Sequence, residues 1–259
     1  MFGTYGSGDT NLYTPNGVAV AGDGLSAWVA DTDNNRIVIW TRPNVSSTTW
    51  SFSAKFGTSG SGDTNFNKPR NVAISSDQLT AWIVDTGNNR VSIWTRPDLS
   101  STTWSFSTKF GTSGTGNSNF SVPVNVAISS DECTAWISDS QNQRITVWNR
   151  PTTNSTTWSY STKFGSFGSA PSNFNQPFWV AISPDTLVAW VADKDNHRIS
   201  IWTRPDPAST VWTATSRFGS PGTANNQFAY PRGVAITPDG RTVWVADNNN
   251  TRITVWTGS

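Results

Sequence analysis

The chain has 259 residues, 14% of them charged, and a formal net charge of +1. That balance removes a global electrostatic case for nucleic acid or an anionic membrane surface, and no stretch approaches the roughly 18 apolar residues of a spanning helix. A single cysteine, Cys133, and a single histidine, His197, leave no internal disulfide, no cysteine zinc site and no histidine-rich metal centre, so the sequence calls for no cofactor and no metal.

Taken in chain order, Met1–Thr4 has neither the basic head nor the apolar run of a signal peptide. Gly17–Ala21 is a short apolar run bounded by turn residues. Ser26–Asp31 follows the Gly-Asp-Gly turn at 22–24. Arg36–Thr41 alternates, with Ile37 and Ile39 on one face and Val38 and Trp40 on the other. Thr49–Phe56 alternates as well, which predicts Trp50, Phe52, Ala54 and Phe56 on one side. Four strands without helical periodicity make one four-stranded antiparallel sheet.

The same pattern then returns. Phe-Gly recurs at Phe2, Phe56, Phe110, Phe164 and Phe218, a spacing of 54 residues shared by five Asp, five Arg and two five-membered Trp series. A third Trp series, Trp50, Trp104, Trp158 and Trp212, has four members. Repetition at this period marks a propeller, solenoid or array, and all-strand units select the propeller. The expected fold is therefore all-β: a five-bladed β-propeller of four-stranded antiparallel blades. It forms a single domain over 1–259, with units 2–55, 56–109, 110–163, 164–217 and 218–259. The last unit runs out after its third strand, so that blade is expected to be incomplete or closed by the N-terminal stub Met1-Phe2-Gly3, with an exposed edge.

Pro15-Asn16-Gly17-Val18-Ala19-Val20, followed by Trp28-Val29-Ala30-Asp31-Thr32-Asp33-Asn34-Asn35-Arg36-Ile37, resembles the NHL repeat. The resemblance extends through all five units. It implies a propeller, and for function it implies anything from RNA binding to protein interaction to a lyase. The lyase implies a histidine-held metal, which one histidine does not supply. NHL repeats are usually shorter than this one, the excess here lying in Thr41–Thr49, and the propellers commonly carry one blade more.

Within each unit the Asp and Arg flank a tight turn, giving the pairs Asp31/Arg36, Asp85/Arg90, Asp139/Arg144, Asp193/Arg198 and Asp247/Arg252. A carboxylate there can accept turn amides and a bidentate guanidinium, which reads as a structural turn clamp rather than five acid sites. Asp31–Asn35 lacks the sixth-position Gly and twelfth-position acid of a calcium loop. Asp193-Lys194-Asp195-Asn196-His197 sets the lone histidine beside two carboxylates, which reads as a turn. Gly57–Gly62 and its equivalents precede no helix, so they read as flexible connections rather than phosphate cradles. The Trp of the second and third strands read as interblade core. The third series reads equally as core or as a platform for sugar rings. No Ser-His-Asp or Cys-His set assembles, so the chain is not expected to be an enzyme and catalytic residues are not assigned.

Among near-identical units, a specific site belongs where they differ. The approach to the innermost strand varies most: Thr14, Asn16 and Gly17, then Lys68, Arg70 and Asn71, then Val122, Val124 and Asn125, then Gln176, Phe178 and Trp179, then Tyr230, Arg232 and Gly233. Lys68, Arg70, Phe178, Trp179, Tyr230 and Arg232 are the expected ligand-binding residues of a rim that suits a glycan, a peptide or a nucleobase. Lys68, Arg70, Lys194 and Arg232 on this face are matched by Asp9, Asp33, Asp63 and Asp195, so phosphate-driven nucleic-acid binding is not expected. These features point to a non-catalytic recognition or scaffold propeller with a glycan or protein partner, without membrane insertion, as a monomer or an edge-paired oligomer. Two other readings stay open, an assembly module pairing through its closing edge and an RNA-binding domain. The Ser/Thr/Asn-rich surface fits an extracellular or cell-surface setting.

Overall fold

A computed structural model describes residues 2–257. Met1 of the expected N-terminal stub and the closing pair 258–259 lie outside the described residues. The protein is an all-β, five-bladed β-propeller, and among the described residues the only helical pieces are single 3-10 turns between second and third strands. Contacts divide the chain into two compact units, which meet in sequence at Gly114/Thr115.

The first unit holds blade 1 (Pro15–Val20, Ser26–Asp31, Arg36–Thr41, Ser51–Phe56) and blade 2 (Pro69–Ile74, Thr80–Asp85, Arg90–Thr95, Ser105–Phe110), each a four-stranded sheet in sequence order. The second holds blade 3 (Pro123–Ile128, Thr134–Asp139, Arg144–Asn149, Ser159–Phe164) and blade 4 (Pro177–Ile182, Val188–Asp193, Arg198–Thr203, Thr213–Phe218). Its last sheet is blade 5 (Pro231–Ile236, Thr242–Asp247, Arg252–Thr257), which has three strands. Neighbouring strands are antiparallel, as hairpin-length connections require.

The fourth strand departs from simple alternation. Ile39 pairs Ala54 but Trp40 pairs Phe52, so Ser53 is an extra residue in a β-bulge. Side chains on either side of it therefore face opposite ways. Ala54 and Phe56 join the cluster shared with blade 2, whereas Trp50 and Phe52 pack with Val38 and Trp40. The expected single face of Trp50, Phe52, Ala54 and Phe56 is corrected accordingly. The same bulge recurs in blades 2, 3 and 4.

Blades of one unit share their cores. Trp28, Ile37 and Ile39 of blade 1 lie in one cluster with Val72, Ala81, Ile83 and Trp94 of blade 2. In the second unit Trp136, Ile145 and Val147 meet Val180, Ala189 and Val191, and Trp190 and Ile199 meet Val234, Val243 and Val245. Aromatic and β-branched residues on both sheet faces of blade 4 are thus accounted for: it has a neighbour on either side to bury them against.

The Gly-rich connections are pinned rather than flexible. Thr58–Ser59 pairs in parallel with Asn65–Phe66, Asn65 Nδ2 donates to Thr58 Oγ1 at 2.8 Å, and Gly57, at φ +87°, lies against the Phe66 ring where a Cβ would overlap it.

Candidate functional site

Every blade carries the Asp–Arg pair, and its geometry shows what the pair does. Asp193, fully buried, accepts Arg198 Nε at 2.7 Å and Asn196 Nδ2 at 2.8 Å on Oδ2, and the Asn175 amide at 2.7 Å on Oδ1. Arg198 gives the carboxylate one N–H, not the two of a bidentate pair. Its Nη1 donates to Ser169 O at 2.8 Å, and Nη2 donates to Ala170 O and Asn173 O, both at 2.8 Å. The clamp therefore reaches beyond its own turn and fastens the Gly-rich connection that precedes the blade. Arg36, Arg90, Arg144 and Arg252 make the same set. Burial pushes Asp85, Asp139 and Asp193 above the ordinary carboxylate value, against the opposing pull of the amide, Asn and Arg donors. Both oxygens are occupied, which leaves no room for acid chemistry at these positions.

A second repeated device joins consecutive blades. The residue that closes each 3-10 turn is left-handed, and in blades 1, 3 and 4 its side chain accepts the amide at the start of the next blade. Asn35 Oδ1 takes Lys68 N at 2.8 Å, Gln143 Oε1 takes Gln176 N at 2.6 Å, and His197 Nδ1 takes Tyr230 N at 3.2 Å. His197 thus occupies a latch that other blades build from an amide side chain. Because Nδ1 is the acceptor, the neutral ring carries its proton on Nε2. The latch is kept while a second nitrogen becomes a donor.

Around this substitution the fourth turn departs from the repeat at several positions together. Lys194 replaces the Thr32, Thr86 and Ser140 of earlier blades. Its ammonium donates to Gln176 Oε1 at 2.9 Å and to Asp195 Oδ1 at 2.7 Å, and sits 5.6 Å from the Tyr230 ring centre. The Tyr230 and His197 rings lie 4.5 Å apart. Lys194, Asp195 and His197 are half-buried and Tyr230 is exposed. A cation with one N–H beyond these two bonds, a carboxylate, an imidazole donor and a phenol ring therefore converge at one accessible place in the second unit.

The rim residues expected from sequence are distributed unevenly. Tyr230 belongs to this cluster. Arg232 lies over the Phe178 ring at 5.4 Å, and the Phe178 carbonyl accepts Ser138 Oγ at 3.0 Å. Trp179 is half-buried against the blade 4–blade 5 core and borders a groove of about 220 Å³ with Trp244 and Ile253. Lys68 and Arg70 are in the first unit, where Lys68 serves through its backbone amide in the latch and Arg70 is half-buried. Lys194 and His197 were legible as breaks in the repeat, but only the fold brings Tyr230 and Gln176 to them.

The third Trp series is core, which settles the alternative of a sugar platform. Trp104, Trp158 and Trp212 are buried and Trp50 half-buried. Phe56 and Phe164 stack on Trp104 and Trp212 at 5.3 and 4.9 Å, and Arg42, Arg96, Arg150 and Arg204 cover the four rings at 4.9–5.2 Å. Among the described residues no group of three or more His, Cys, Asp or Glu comes together to hold a metal.

Residues 12–40 and 228–256 match the NHL repeat, in blades 1 and 5, so the resemblance carried by the repeat motif holds. Among curated proteins no relative matches the chain. Its fold is similar to that of a functionally unknown protein from Desulfotomaculum acetoxidans (TM-score 0.63, 17% identity, 95% of this chain and 66% of that one). It is also similar to the periplasmic gluconolactonase PpgL of Pseudomonas aeruginosa (0.65, 16%, 96% and 68%) and to a candidate 6-phosphogluconolactonase from Bacteroides uniformis (0.65, 11%, 96% and 82%). The chain spans about two thirds of the length of the first two. These likenesses correct two expectations, that the protein is a non-catalytic recognition, assembly or RNA-binding propeller and that it is not an enzyme. Proteins named as lactonases use this fold.

Proposed function

We propose that this NHL-repeat propeller is a hydrolase of the lactonase type, acting on a sugar lactone at the fourth turn and the start of blade 5. The observation that carries the reading is the convergence of Lys194, Asp195, His197 and Tyr230, the place where one turn abandons the repeat at several positions at once. Likeness in fold to named gluconolactonases supports the reaction class.

Opening a lactone requires water to attack the ester carbonyl, charge to develop on the carbonyl oxygen, and the ring oxygen to leave with a proton. The remaining Lys194 N–H and the His197 Nε2–H are donors suited to the developing oxyanion, which a half-buried site stabilises more than water does. Asp195 is the acceptor available to the attacking water, and its contact with Lys194 holds it in position. As the ring opens, Asp195 returns to the leaving oxygen the proton it took from the water, while the His197 Nε2–H stays in place as a hydrogen-bond donor. The exposed Tyr230 ring offers the C–H face of a sugar a surface to lie on. Lys194 already shares its charge with Asp195, so the site suits a neutral lactone better than a phosphorylated one.

The test is gluconolactone hydrolysis followed by acid release, above the uncatalysed rate. Lys194→Ala is expected to lower kcat about 100-fold, the loss typical of removing one oxyanion donor. His197→Asn keeps the latch acceptor and removes the donor, and should lower kcat without unfolding. A wild-type protein without turnover, or a Lys194→Ala protein with full turnover, overturns the reading.

A further inference from the structure

We infer that the first unit carries a second ligand site, a pocket between blades 1 and 2 that binds a small hydroxylated monocarboxylate of the sugar-acid class. Its residues all lie between Asp23 and Thr102, and none belongs to the fourth turn, so it stands independently of the hydrolase reading.

The pocket arises where blade 1 breaks the repeat. In blades 2 to 5 the residue after the first strand is Ser75, Ser129, Ser183 or Thr237, and its hydroxyl donates to the Asp two positions on. That bond holds the carboxylate within its own turn. Blade 1 has Ala21 at this place. Asp23 Oδ1 still accepts the Leu25 amide at 2.8 Å, but Oδ2 reaches across to accept Gln78 Nε2 of blade 2 at 2.9 Å. Gln78 is itself a departure, since Gly24, Glu132, Thr186 and Gly240 stand at its place in the other blades. Two breaks in the repeat thus meet in one bond between neighbouring blades.

The same breaks leave guanidinium donors unspent. In blade 4, Arg204 donates from Nε to Thr186 O at 2.8 Å and from Nη2 to Thr186 Oγ1 at 2.5 Å, with its guanidinium 5.7 Å from the Trp136 ring centre. In blade 2, Gln78 stands where Thr186 does, and its side chain is engaged by Asp23. Arg96 keeps the bonds from Nε to Gln78 O at 3.0 Å and from Nη1 to Ser101 O at 3.3 Å, while its Nη2 donates to nothing among the described residues. Arg42 has only Gly24 at that place. It spends Nε on Gly24 O at 2.7 Å and Nη1 on Ser47 O at 3.2 Å, and its Nη2 is left over in the same way.

Both arginines line a pocket of about 320 Å³ whose buried side is Trp28 and Ile39, a size within the range of small-molecule sites. Ser53, the extra residue of the bulge, joins its wall, which is the re-aiming of a side chain that a bulge provides. Asp23, Arg42 and Arg96 are the only charged residues lining it, so the wall carries one net positive charge. One carboxylate on the ligand balances that charge and takes the unspent N–H groups in charge-assisted hydrogen bonds. Asp23 and the Ser53 hydroxyl are left to pair with ligand hydroxyls. A phosphate dianion would bring a second negative charge against Asp23.

Calorimetric titration with D-gluconate tests it, on the Lys194→Ala protein so that the fourth turn is disabled. Glucitol, which lacks the carboxylate, and acetate, which lacks the hydroxyls, are each expected to bind at least about 10-fold more weakly than gluconate. Adding Gln78→Thr gives Arg96 the partner that Thr186 gives Arg204 and should weaken gluconate about 10-fold. Positions 78 and 186 share a φ of 62°, so a threonine is already accommodated in this conformation and folding should survive. Ser53→Leu fills the pocket from its wall and should abolish binding, with circular dichroism to confirm the fold. Protein that does not bind gluconate overturns the inference. So does glucitol or acetate binding as tightly, or a folded Gln78→Thr or Ser53→Leu protein with undiminished affinity.

Discussion

Arg198 and Arg252 make the same clamp in the same unit, and they differ mainly in their access to water. Each gives Nε to a fully buried Asp, at 2.7 and 2.8 Å. Each spends its other donors on three loop carbonyls, at 2.8 Å throughout for Arg198 and 2.7–2.8 Å for Arg252. The Arg198 side chain is 6% exposed and that of Arg252 27%. Replacing either by Met removes four hydrogen bonds and keeps the aliphatic stem. At position 198 the carboxylate of Asp193 and three carbonyls are left dry, and breaking one side of a buried pair costs about 3–5 kcal/mol. At position 252 water can reach the vacated space and solvate what is left, so the loss should be about half as large. Urea denaturation in dilute solution, followed by Trp fluorescence, reads both values from the midpoint at constant slope. Equal losses would refute the reasoning, because they would show that the hydrogen-bond inventory alone, and not desolvation, sets the strength of the clamp.

Further outcomes follow from local geometry. Gly57→Ala drives a Cβ into the Phe66 ring at φ +87°, and should cost more than the ~1 kcal/mol of a simple left-handed penalty; Gly22→Ala meets nothing within 4 Å and should be neutral within about 0.5 kcal/mol, so thermal melts of the pair should separate clearly. The turn carboxylates Asp98, Asp131, Asp185 and Asp239 are held below 3.8 first of all by a neighbouring hydroxyl and then by turn amides. Depressed carboxylates contribute stability above their unfolded value that is lost as pH falls through the folded one. Asp85, Asp139 and Asp193, raised by burial, act oppositely, since their neutral-pH penalty is relieved as pH falls through the raised value. Stability should therefore rise slightly on mild acidification and drop below pH 3.8; Asp185→Asn should make that drop shallower, and an unchanged acid limb would count against the assignment. Phe66→Ala empties a fully buried site against Phe56 and Trp94, and should cost about 3–5 kcal/mol in the same denaturation assay.

The sequence by itself determined the fold, the blade count and the second and third strand boundaries, because each rests on local information: a period, an alternation, a turn residue. Ser26–Asp31 and Arg36–Thr41 stand where their patterns put them. Five copies of one pattern also make the reading redundant. What the period could not carry was decided by contacts between distant residues. The bulge at Ser53 turns Phe52 away from Ala54, although the apolar alternation continues across it. The guanidinium of Arg198 goes to carbonyls 25 to 29 residues earlier, which no spacing rule announces. His197 looks like a turn residue until Tyr230, from the next blade, donates to it. The same valine is core at position 72 and surface at position 18, because burial belongs to the neighbour a strand finds and not to the residue that seeks one.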